Sequence, residues 1–139
     1  MANQRISYQS FCWVVGTTSF RTAKLNLKIE AQLLLLDEFY DEVIKTSTWN
    51  WSTELQEQYY DFMKSRSFLT GKADRKDKEA REKTSGLVDI GLITEDRLIT
   101  EAGRALLKIT HDGNFESNNV FNINEDSFIY LKQLLKTSI

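Results

Sequence analysis

Six side chains suited to bonding nucleic-acid edges and phosphates fall in one short run and one turn. Lys78, Arg81, Glu82, Lys83 and Ser85 lie in "DKEAREKTSGLVDI" (77–90), and Arg97 lies in "LITEDRLI" (92–99). An arginine fork pairs bidentately with guanine, and serine and glutamate take part in base-edge hydrogen bonds. Lysines and a flanking arginine sit on phosphates, which positions a protein without reading sequence. Spacing decides whether these groups can act together. Ala80, Thr84, Leu87 and Val88 recur at i, i+4, i+7 and i+8, one packed stripe of a helix from about Asp77 to Ile90, stopped by Gly91. The opposite face then presents Lys78, Arg81, Glu82, Ser85 and Asp89. The bland alternative for 72–83 is a solvated helix with mixed charges. A further cation, Arg21, follows Thr17, Thr18 and Ser19 in a segment free of acids, where it can clamp phosphate or bond backbone carbonyls as a structural arginine.

Hydrolytic chemistry is poorly served. A PD-(D/E)xK nuclease needs carboxylates on strands holding a metal, with a lysine two residues after one of them. The acid-x-lysine match Asp74-Arg75-Lys76 lies in a polar run with no apolar strand around it. His111 is the single histidine, which excludes an HNH site, and "GTTS" (16–19) lacks the lysine and spacing of a P-loop. Cys12 has no cysteine partner for a disulfide or a zinc cluster, and nothing implies a third group beside Cys12 and His111. Trp49 and Trp51 can stack on bases, but core anchoring is the better reading.

The elements that must position these groups are mainly helical. The chain has 139 residues, 41% hydrophobic, 12% aromatic and 27% charged, without proline, the profile of a single soluble helical domain. No apolar run reaches the roughly 20 residues of a membrane span. The amino terminus makes a poor signal peptide, so a cytoplasmic location is expected. Net charge is −2, yet it is unevenly spread: residues 1–28 carry +4, 29–71 carry −5, 72–83 carry +2 and 84–139 carry −3. Two positive segments on an acidic scaffold can still build a positive face.

Asn26 opens a helix to about Lys45 with Leu27, Ala31, Leu34, Leu35 and Val43 among its apolar positions. Thr53 and Gln56 match a capping box for a helix to about Arg66, with Leu55, Tyr59, Phe62 and Met63 as its stripe. The tetrapeptide L-I-T-E occurs twice, at Leu92–Glu95 and Leu98–Glu101, which predicts a tight β-hairpin followed by a helix capped by Thr100. Leu106, Leu107 and Ile109 face inward on that helix; residues 110–119 read as loop, Val120–Ile123 as a short strand, and Glu125 to Lys136 as a last helix with Phe128, Leu131, Leu134 and Leu135 apolar.

This order is that of a winged helix-turn-helix: mainly α, with a short β-hairpin wing at about 92–99 and additional flanking helices. A basic arm, 1–24, joins a winged-helix domain, 25–139, in one compact unit. "WVVGTTSFR" (13–21), "AREKTSGLVDIGLI" (80–93) and "LITEAGRALL" (98–107) together resemble the amino-terminal region of the AlwI-type restriction endonucleases. The resemblance implies a type IIS enzyme that binds a short asymmetric double-stranded DNA site and cuts at a distance. It implies too that a separate Mg2+-dependent nuclease domain follows the recognition region. The chain is far shorter than a complete enzyme of that family, so it is expected to recognise DNA without cleaving it and to hold no cofactor itself. Its partners are then duplex DNA and a carboxy-terminal nuclease domain or partner subunit, with no membrane. A stand-alone winged-helix transcription regulator and a winged-helix protein-interaction module, with the acidic 29–71 segment as its surface, stay open as alternatives.

Overall fold

The computed structural model describes residues 25–69 and 71–137, and among these it contains five helices: α1 Leu25–Ile44, α2 Thr53–Ser65, α3 Lys76–Asp89, α4 Glu101–Asp112 and α5 Glu125–Thr137. The expected basic arm with its Arg21 lies outside the described residues. The protein is mainly α, with no sheet among the described residues.

Helix α1 is the central rod. Ile29, Leu33, Leu36, Phe39 and Val43 are buried, and Leu33 and Leu36 are completely so. Of the apolar positions named from the sequence, Leu35 and Val43 are buried, whereas Leu27, Ala31 and Leu34 face solvent. The block Leu33–Leu36 is apolar on every side, so sequence alone could not fix the helix's rotation. The cap of α2 lies one residue before the predicted one. Ser52, not Thr53, accepts from the Leu55 N–H at 3.2 Å, while Gln56 sends its side-chain amide back to the Trp51 carbonyl at 3.1 Å. Its stripe is as expected, with Leu55, Tyr59 and Met63 buried and Phe62 half-buried.

Helix α2 packs most extensively on α3, through Ala80, Thr84 and Leu87, all buried. Gly91, at φ 75°, breaks the chain away from α3 in the left-handed region that glycine adopts without a Cβ clash. The predicted hairpin is reduced to one antiparallel bridge, Ile93 with Ile99. The Thr94 N–H donates to the Leu98 carbonyl at 2.8 Å and the Thr100 N–H to the Leu92 carbonyl at 3.1 Å. Five residues between the bridged pair leave no length for strands. Thr100 caps α4 as expected, accepting from the Gly103 N–H at 3.2 Å.

Two later expectations need correction. Helix α4 continues through Thr110–Asp112, and Gly113 at φ 69° ends it. Val120–Ile123 is not a strand: Asn119 organises a turn there, its side-chain carbonyl accepting from Phe121 at 3.1 Å and its amide donating to Ile123 at 2.9 Å. Helix α5 falls where predicted, but it buries Ile129, Tyr130 and Gln133 and leaves Leu135 in solvent. Polar anchors outweigh the leucine pattern here. The Tyr130 hydroxyl donates to Glu30 on α1 at 2.6 Å, and the Gln133 amide donates to the Ile90 carbonyl at 2.8 Å. Among the described residues, no helix is long and apolar enough to cross a membrane.

Candidate nucleic-acid interface

Helix α3 lies with Asp77, Ala80, Thr84 and Leu87 turned inward. Its exposed positions are Lys76, Lys78, Glu82 and Asp89, with Glu79, Arg81, Lys83 and Ser85 half-buried beside them. The helix is electrically balanced: Lys76, Lys78, Arg81 and Lys83 stand against Asp77, Glu79, Glu82 and Asp89. Lys78 and Glu82 are 3.9 Å apart, as are Lys83 and Glu79. Exposed i, i+4 pairs of this kind contribute only about 0.3–0.5 kcal/mol. Both lysines can therefore leave their carboxylates at little cost. Lys76 is held more closely, 3.0 Å from Asp61 on α2, and this pairing raises its pKa. The Asp74–Lys76 match accordingly sits at the entry to α3 on an inter-helix ion pair, with no strand near it.

Arg81 is not a loose surface cation. Its Nη1 donates to Gln56 Oε1 at 2.7 Å and to Asp77 Oδ2 at 3.1 Å, so the side chain is tied to α2 and to the first turn of α3. It remains 39% exposed. Its Nε and Nη2 carry no hydrogen bond among the described residues. Asp77 is shared: Arg75 reaches the same oxygen at 3.1 Å. Hydrogen bonds from Arg75 and then Arg81 hold the Asp77 carboxyl down at about 2, so it is a carboxylate throughout the physiological range. The Ser85 hydroxyl donates back to the Glu82 carbonyl at 2.9 Å, an ordinary arrangement on an exposed helix turn.

Arg97 does not project as the sequence predicts. It adopts φ 65° and folds its guanidinium back onto α3. Nε donates to Thr84 Oγ1 at 2.9 Å, Nη2 to the Arg81 carbonyl at 3.3 Å and Nη1 to the Glu95 carbonyl at 2.8 Å. The guanidinium also lies 5.3 Å from the centre of the Trp51 ring. Burial and the Arg81 charge lower its pKa. Arg97 is thus a strut: its hydrogen bonds to Thr84 and the Arg81 carbonyl tie the largely exposed 94–98 turn to α3. We expect Arg97→Met to destabilise the fold by about 2 kcal/mol, from the lost hydrogen bonds and the cation–π contact. Urea unfolding checks this; an unchanged midpoint would mean that the strut carries no load.

The tryptophans act with it. Trp49 donates from Nε1 to the Asp96 carbonyl at 2.8 Å, and its ring lies nearly parallel to that of Trp51 at 6.1 Å between centroids. Phe39 and Tyr40 of α1 close the other side of Trp49 at 5.9 and 5.2 Å. Both indoles anchor the turn and are not presented as stacking platforms. Gln56 is the partner of Arg81 that the sequence reading missed. Asp77 was legible in principle, since it precedes Arg81 by one helical turn; Gln56 comes from another helix, and the capping box that marks it in the sequence says nothing of Arg81.

Among the described residues, no three His, Cys, Asp or Glu side chains converge as a metal site. No family model, no curated protein and no solved structure matches this chain.

Proposed function

We propose that this chain recognises double-stranded DNA, with α3 entering the major groove and the 94–98 turn acting as a minimal wing. On this reading it is the recognition domain of an AlwI-like type IIS restriction endonuclease, and a separate magnesium-dependent domain carries out cleavage. The observation that carries the proposal is the presentation of α3. One side is seated on α2 while Lys78, Glu82 and the partly exposed Arg81 and Lys83 remain on its outer side, beside a short turn and ahead of α4. The order α1, α2, α3, bridged turn, α4 suits a winged helix, although the wing has one bridge where a hairpin would have strands. The three sequence blocks support the narrower assignment to the endonuclease family.

Two substitutions separate reading from positioning. Arg81→Ala should cost about 1–3 kcal/mol in binding and relax preference at one base pair. Lys83→Ala should weaken all sequences alike and reduce the salt slope by about one. The test is selection from a library of random duplex DNA, followed by titration of the enriched duplex at several salt concentrations. Enrichment of one short asymmetric motif supports the reading, a palindrome favours a dimeric regulator, and absence of any salt-sensitive affinity overturns DNA binding.

A protein-interaction reading has one observation of its own. Val120 is 91% exposed, Phe121 59% and Leu135 57%, apolar groups on α5 and in the turn that precedes it. In the proposed enzyme these groups are the natural contact for a nuclease domain or partner subunit.

A further inference from the structure

We infer that Gln56 and Asp77 are positioning residues that hold the Arg81 guanidinium ready for one guanine. The inference rests on the DNA-recognition reading and adds to it how the base is selected. Gln56 Oε1 and Asp77 Oδ2 both accept from the same nitrogen, Nη1, at 2.7 and 3.1 Å. A guanidinium has five N–H donors in a rigid plane. With Nη1 fully occupied, the remaining Nε–Nη2 edge has the two parallel donors that match guanine O6 and N7. Gln56 and Asp77 are themselves immobile: they are 6% and 8% exposed. The Gln56 amide is anchored to the Trp51 carbonyl at 3.1 Å, and Asp77 is braced by Arg75 at 3.1 Å. The fork is therefore fixed from two helices before any DNA arrives.

This arrangement has a consequence for selectivity. An unbraced arginine has many rotamers and can reach phosphates or several base edges. A braced one has already lost that freedom, so binding spends less on ordering it. Removing the brace should reduce discrimination for guanine at one position by about three- to tenfold, corresponding to one immobilised side chain. Phosphate contacts from Lys78 and Lys83 should be unaffected.

The experiment repeats the random-duplex selection with the intact protein and with Arg81→Ala, Gln56→Met and Gln56→Glu. The intact protein should enrich a motif with a guanine column that Arg81→Ala erases. Gln56→Met should flatten that column alone, with the other columns and the salt slope retained. Gln56→Glu, which keeps the acceptor for Arg81 but loses the amide that donates to the Trp51 carbonyl, should restore it in part. If Gln56→Met fails to fold, Asp77→Ala is held to the same criterion. A guanine column that persists at full strength in the unbraced variant overturns the inference while leaving DNA recognition standing, and so does uniform weakening of every column. A parent protein that enriches no motif overturns both.

Discussion

Gly103→Val is expected to lower stability by at least about 3 kcal/mol, the upper part of the range for overpacking a close contact. Helix α4 crosses the bridged turn at this residue, which is buried. A Cβ on Gly103 would lie well inside contact with the Leu92 carbonyl oxygen and 2.7 Å from Ile99 Cγ2. Neither neighbour can yield cheaply. The Leu92 oxygen is held by the Thr100 N–H at 3.1 Å, and Ile99 is one half of the single bridge. Alanine at the same place gains about 1 kcal/mol of helix preference over glycine, which would blunt the effect; valine offers no such relief. The urea midpoint should fall with the slope unchanged. A loss under 1 kcal/mol would show that the turn is free to move off α4 and is not a fixed element.

Tyr59→Ala is the second large effect, about 4 kcal/mol. Tyr59 is completely buried where α1 and α2 meet, with Phe39 at 5.0 Å and Trp51 at 6.0 Å between ring centroids. Its hydroxyl accepts from the Gln32 amide at 2.9 Å, and burial pushes its pKa upward, so it stays neutral. Truncation leaves a ring-sized cavity and strips Gln32, itself buried, of its best partner; among the described residues Met63 Sδ at 3.7 Å remains. Tyr59→Phe keeps the ring and should cost about 1 kcal/mol, the share of one hydrogen bond. Equal losses for the two variants, measured by urea unfolding, would place the energy in the hydroxyl and contradict the packing account.

These residues also mark what the sequence made legible. Periodicity located α2, α3 and α5 and the cap at Thr100, because each has one apolar stripe or a short polar signal at its end. It failed on rotation where the signal was saturated, as at Leu33–Leu36, or where polar side chains were buried, as at Tyr130 and Gln133. The doubled L-I-T-E announced a reversal of the chain, and a reversal is present. Its length was overestimated, since one bridged pair with a side-chain strut satisfies the turn without strands. Arg97 looked like an available cation for the same reason: a sequence gives its charge but not its φ of 65°, which turns the head inward. Lys78 and Lys83 lie near their expected places on the outer side of α3. Arg81 is there too, but its tie to Gln56 depends on how α2 crosses α3, and only three-dimensional packing supplies that.

The balance of charge on α3 also bears on how the proposed complex would form. Four bases and four acids on one helix give little long-range attraction, so most of the discrimination must come from close contacts. On that account Glu82 contributes directly, accepting from a cytosine amino group. Lys78 and Lys83 release their glutamates to phosphates as the helix settles.

The central claim, that α3 is the DNA-facing element, is tested most directly by backbone amide NMR of the protein titrated with the duplex recovered by selection. The account predicts the largest shift changes at Lys78, Arg81, Glu82, Lys83 and Ser85, with smaller ones at 94–98 and none at Val120, Phe121 or Leu135. Changes concentrated on the α5 side, with 78–85 silent, would contradict it.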